Sequence, residues 1–255
     1  MLQMSQKSFS KRSSQVNQQT QELVWQGAEE GFRATLTAAN EAGECGRTID
    51  AHCMRASAYY SRYASLIPRH IVQAVKTFRL ARWHARLAHH AMHRQGYDGV
   101  THGQFDVVGT ILLRSWLWYR PNPKLAHDLL RRGLGLNHVP PHARALMIMG
   151  LAEARYLQRR HRECLGLIEQ ALILEKELNF EEDLPQAQRQ FARVLRRAGA
   201  LLYRLGESQR SAGALANAKL YASYGTSKSK DQEWKQRLNL LFLQVPSGLR
   251  WLVPN

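Results

Sequence analysis

Three cysteines, Cys45, Cys53 and Cys164, are all that the 255-residue sequence contains. An odd number with no Cys-x-x-Cys spacing excludes a disulfide framework and a zinc knuckle, and it fits a reducing compartment such as the cytoplasm. Long apolar runs are absent as well. The longest candidates, "VVGTILL" and "ALMIMGLA", fall far short of the roughly 20 residues that a membrane-spanning helix needs. Strand-like alternation and Asn-Gly hairpin turns are missing. So are a Gly-rich phosphate loop, a nucleophile elbow and an HExxH motif, and the sequence makes no case for an enzyme or a cofactor.

The most consequential scarcity is of acid. Lys and Arg number 36 against 20 Asp and Glu, giving a formal net charge of +16 and a pI near 10.3. A chain so charged attracts polyanions: an acidic protein face, nucleic acid or anionic lipid. The imbalance peaks in "RHIVQAVKTFRLARWHARLAHHAMHR", Arg69–Arg94, which lies between Asp50 and Asp98 with no acid in between.

What is present is helical periodicity. Ile49, Cys53, Ala56, Tyr60, Tyr63 and Ile67 recur at steps of four and three, which makes one apolar stripe on one helix face. Breaks follow at "EAGECGRT", "IPR", "GYDGVTHG", "RPNPK", "NHVPPH", "NFEEDLP" and "YGTSKSKD", each rich in Pro, Gly or N-cap residues. "RRGLGLNH" ends a helix where a glycine cap is expected. The pattern predicts an all-α chain of about ten helices, with short loops making neighbours antiparallel. Residues 15–244 form a single helical domain in this reading. Residues 1–14 are expected to be a flexible polar and basic tail, and the apolar tail 245–255 to dock back on the end of the domain.

Within Pro141–Tyr224, small residues recur at matching intervals. Ala152 is followed twelve residues later by Cys164 and seven later by Ala171; Gly199, Ser211 and Ala218 repeat both intervals. Here the sequence resembles the tetratricopeptide repeat family, and "LG" at Leu205–Gly206 resembles the turn between that family's paired helices. The resemblance implies antiparallel helical hairpins stacked as an α-solenoid. The spacing also fits a generic α-solenoid or an irregular helical bundle.

In the basic segment Arg79, Arg82, Arg86, His89 and His93 step by three and four along one helix face, with Lys76, His90 and Arg94 beside them and Trp83 at the edge. Ala74, Phe78, Ala81, Ala85, Ala88 and Met92 line the opposite, buried face. His89 and His93 have the spacing of a helical metal pair, but the segment offers no acid or cysteine to complete a site and its arginines repel a cation, so no metal is expected. Solvation, or pairing with the acidic segment Glu163–Asp183, is the bland fate of such a face. The functional expectation is a scaffold that binds an acidic peptide or protein partner through a basic groove. The alternative is RNA or DNA, with arginines on phosphates and Trp83 stacked on a base.

Overall fold

The computed structural model describes residues 29–66, 71–115, 119–174 and 184–223. Among them are nine α-helices and no strand. They are α1 (29–44), α2 (Thr48–Leu66), α3 (Ile71–Arg94), α4 (His102–Leu113), α5 (Pro123–Leu134), α6 (Pro141–Leu157), α7 (His161–Ile173), α8 (Leu184–Arg204) and α9 (Ser208–Ser223). The tails 1–14 and 245–255 lie outside the described residues.

Local chemistry sets several helix boundaries. The Thr101 hydroxyl accepts from the Gln104 N–H at 3.4 Å while the Gln104 side chain accepts from the Thr101 N–H at 2.8 Å, a capping box that starts α4. Asn122 caps α5, accepting from the Leu125 N–H at 3.2 Å, with Pro123 in the first turn, where its missing N–H costs nothing. α1 runs on through Glu44, so the predicted "EAGECGRT" break contracts to a turn around Gly46, whose φ of 75° suits glycine. The predicted glycine cap at "RRGLGLNH" takes a different form. Gly135 ends α5 in right-handed geometry, while Gly133 is a packing glycine: a Cβ there would lie 2.9 Å from both Met147 Sδ and Phe105 Cβ.

Helices pair consecutively: α2 with α3, α4 with α5, α6 with α7, and α8 with α9. Between pairs, α2 touches α4, α4 touches α6 and α6 touches α8, while α3, α5 and α7 each touch the helix that follows. α1 lies along α2, with Phe32 edge-on to Tyr59 at 5.6 Å and Arg62 on Glu29 at 3.3 Å.

α6 divides the interior. Met147, Leu151 and Ala154 join Met92, Phe105, Ile111, Leu129 and Leu130 in one buried cluster. Ala145, Met149 and Ala152 join Ile168, Phe191, Leu195 and Leu202 in a second, and Tyr63, Leu66, Ala74 and Phe78 form a smaller third between α2 and α3. The small residues at matching intervals, Ala152, Cys164, Ala171, Gly199, Ser211 and Ala218, are all buried. The Ser211 hydroxyl donates to the Gly199 carbonyl at 2.8 Å, so α8 and α9 meet at backbone range. Leu205–Gly206 forms the turn between them, with Gly206 at φ 87°.

Candidate functional site

α3 exists as one helix because its alanines allow close approach on a single side. Ala74, Phe78, Ala81, Ala85, Ala88 and Met92 are all at most 1% exposed, as the periodicity predicted. The outward face is rotated from the expected one. Lys76, Arg79, Trp83, Arg86, His90, His93 and Arg94 are exposed, and Trp83 moves from the edge to the centre with 54% of its surface in solvent. Its ring contact is with His84, at 4.8 Å, not with an arginine. Leu80 is exposed one turn away, at 38%, and Val72 is exposed near the start of the helix, at 70%. His89 is half-buried; burial lowers its pKa, helped by the charges of His90 and His93.

Arg82 leaves the expected set. It is 3% exposed. Its Nη1 donates to the Arg114 carbonyl at 2.6 Å and its Nη2 to the Arg120 carbonyl at 2.9 Å, and its guanidinium stands 6.0 Å from the Tyr119 ring centre. Burial and the charge of Arg86 lower its pKa to about 10 against the opposing pull of Tyr119. It therefore stays charged at neutral pH and fixes the α4–α5 connection over α3. Nothing near position 82 in sequence distinguishes it from Arg79 or Arg86.

Of the two bland fates of the outward charges, solvation fits their exposure, and pairing with the acidic segment is not seen in its described part. Glu163 pairs with Arg160 and, at 3.1 Å, with Arg155; Glu169 pairs with Arg210 at 2.9 Å. The described part of the acidic segment is thus committed to α6, α7 and α9, and residues 175–183 lie outside the described residues. Lys76, Arg79, Arg86 and Arg94 make no ion pair among the described residues. α3 packs on α2 and α4 through its other side.

Two further polar constellations escaped the sequence reading. Behind Trp83, His84 is 7% exposed and meets His52 of α2 through a 3.2 Å Nδ1···Nδ1 hydrogen bond, with the Tyr59 ring stacked parallel at 5.7 Å. Burial, then His52 and Arg55, push the His84 pKa down to about 4, and His52 is lowered by burial and Arg55.

The second is a seam across α4, α6 and α8. Glu153 accepts from Arg114 Nη1 at 2.9 Å and from Arg197 Nε at 2.7 Å, with all three side chains only 12–16% exposed. Burial alone would raise the Glu153 pKa, but Arg114 and Arg197 outweigh it and hold the carboxylate at about 2. Asp106, bonded by the Thr110 hydroxyl at 3.2 Å, lies in the same seam, and burial raises its pKa. One signal could have found it: Asp106 and Glu153 are the lone acids of α4 and α6, both otherwise largely apolar.

The thiols of Cys53 and Cys164 are buried, and burial pushes each up to about 12, so neither is a reactive thiolate. Among the described residues no group of three His, Cys, Asp or Glu could hold a metal ion, and no helix is long and apolar enough to cross a membrane. No protein-family model, curated protein or solved structure matches the chain.

Proposed function

We propose that this chain is a non-enzymatic interaction scaffold, a tetratricopeptide-like α-solenoid that docks an acidic protein partner through the exposed basic face of α3. The succession of helix contacts supports the solenoid: each pair touches the next through its first helix, and small residues meet within pairs. Its place is the cytoplasm, in keeping with three free cysteines.

The observation that carries the docking reading is Trp83, exposed between Arg79 and Arg86 with no acid paired to either among the described residues. Trp and Arg are the side chains most enriched where interfaces concentrate their energy. An indole left in water amid cations is poorly placed for folding and well placed for a partner. Exposed Leu80, one turn from it, favours a protein over nucleic acid, because aliphatic side chains add little to a phosphate-tracking surface. The exposed site set is Lys76, Arg79, Trp83, Arg86, His90, His93 and Arg94; Arg82 is a structural clamp.

The test is capture of partners from native lysate by the parent and by an Arg79→Glu/Arg86→Glu variant, each with and without nuclease. The reading expects nuclease-resistant partners with acidic sequences, lost with the variant. Partners lost on nuclease treatment would assign the face to nucleic acid, and partners retained by the variant would remove α3 from the interface.

A further inference from the structure

The face of α3 repeats its chemistry every seven residues. Arg79, Arg86 and His93 form one row, Lys76, Trp83 and His90 the next around the helix, and Leu80 and half-buried Leu87 a third beyond it. Seven residues of α-helix rise about 10.5 Å. A helix laid alongside presents side chains at that same interval, whereas an extended strand presents them on one side every ~6.7 Å. Successive phosphates of a nucleic-acid strand come closer still, about 3.4 Å apart along a duplex axis. The row of charges and the leucine row flank the row that holds Trp83, so the ligand that fills this face carries acids along one edge and apolar residues along the rest.

The chain offers no such ligand among its own described residues. Of its exposed acids without an ion pair, Glu41 and Glu44 share one end of α1, Glu30 sits at the other end, and Asp98 is alone in a loop. The partner must bring the acids.

Resting on the docking reading above, we infer that α3 receives a single α-helix from an acidic, amphipathic partner. The partner helix lies along α3 with carboxylates at seven-residue intervals against Arg79 and Arg86, and with apolar residues against Leu80, Trp83 and Leu87. Charge complementarity selects the partner, and the heptad register, as in a two-helix seam, sets its alignment.

Three labelled synthetic peptides of equal length and charge test this by fluorescence anisotropy against the full chain. One carries Glu and Leu in adjacent rows at seven-residue spacing, one is scrambled, and one keeps the rows but has a central proline. The first should bind at least roughly tenfold tighter than the scrambled peptide and on the order of a hundredfold tighter than the proline peptide. Leu80→Asp should erase the preference for the first peptide over the scrambled one. Arg79→Glu/Arg86→Glu should abolish binding of all three, with circular dichroism confirming that both variants remain folded. Equal binding of the three peptides, lost in the Arg79→Glu/Arg86→Glu variant, would overturn the helical register and leave the docking reading standing. Binding unaffected by that variant would overturn both. A salt-sensitive dimer in sedimentation that the first peptide dissolves would overturn the external partner and assign the face to a second copy of this chain.

Discussion

Replacing Glu153 by Gln should cost the protein far more than its single lost charge suggests. The carboxylate sits between Arg114 and Arg197 at 2.9 and 2.7 Å, and all three side chains are nearly removed from water. Its pKa falls from an ordinary 4.5 to about 2. At about 1.4 kcal/mol per unit, the ionised carboxylate contributes about 3 kcal/mol to folding. That matches the roughly 3–5 kcal/mol expected when one member of a buried pair is removed and its partners stay charged. The sign follows from a folded pKa below the unfolded one: the stabilisation is complete above pH 4.5 and is lost as pH falls toward 2. Between pH 6 and pH 3 this group alone should take about 2 kcal/mol from the parent. Urea unfolding at both pH values, for the parent and Glu153→Gln, isolates that share as the difference between their pH dependences. A second variant, Glu153→Leu with Arg114→Met and Arg197→Met, replaces the Arg114–Glu153–Arg197 triad by apolar side chains and should recover most of the loss. If Glu153→Gln loses under about 1 kcal/mol at pH 6, or keeps the parent's full pH dependence, the seam is not the buried electrostatic contact described above.

Gly199→Val should destabilise by roughly 1–3 kcal/mol in urea, because a Cβ at Gly199 would lie 2.7 Å from Leu215 Cγ and 3.3 Å from the Ser211 carbonyl; unchanged stability would contradict the close α8–α9 contact. Arg82→Ala should cost about 2 kcal/mol or more by stripping donors from two carbonyls, and Arg79→Ala on the same helix less than about 0.5 kcal/mol; equal costs would refute the inward placement of Arg82. His84 has a folded pKa of about 4 against an ordinary 6.5, so its share of stability is full above pH 6.5 and drains as pH falls toward 4. Thermal melts of His84→Phe, which keeps an aromatic on Tyr59, should show a shallower decline over that window than the parent, and an identical decline would clear the histidine pair of any role.

The helical class was readable because period and punctuation agreed. The alanine stripe of α3 stands at helical spacing over 18 residues from Ala74 to Met92, and every member is buried. The orientation of the opposite face was less readable. Arg82 lies within the arc that periodicity assigns to solvent, and only the return of the chain over α3 at Arg114 and Arg120 turns it inward. Carbonyls supplied from 32 and 38 residues away leave no trace in the local pattern. The seam was hidden for the same reason. Asp106, Arg114, Glu153 and Arg197 are scattered over 91 residues; the two acids stand out as lone acids of largely apolar helices, but no local pattern joins them to the arginines. Sequence periodicity reports which side of a helix is wet on average; it does not report which long polar side chain bends back to meet a distant partner.

Glu153 has a consequence for how this molecule can be cut or lengthened. In an array whose units touch only their neighbours, stability is a sum of unit and interface contributions, and units can be removed or duplicated one at a time. Here one carboxylate on α6 holds an arginine from the pair before it and another from the pair after it. Deleting α8 and α9 would leave Arg114 and Glu153 as a two-membered pair. Deleting α6 and α7 would remove the carboxylate that bonds both Arg114 and Arg197 and leave Asp106 beside them. Residues 102–218 should therefore melt as one block, and a chain shortened or spliced here would lose an ionic contact that ties three helix pairs together, not merely one unit.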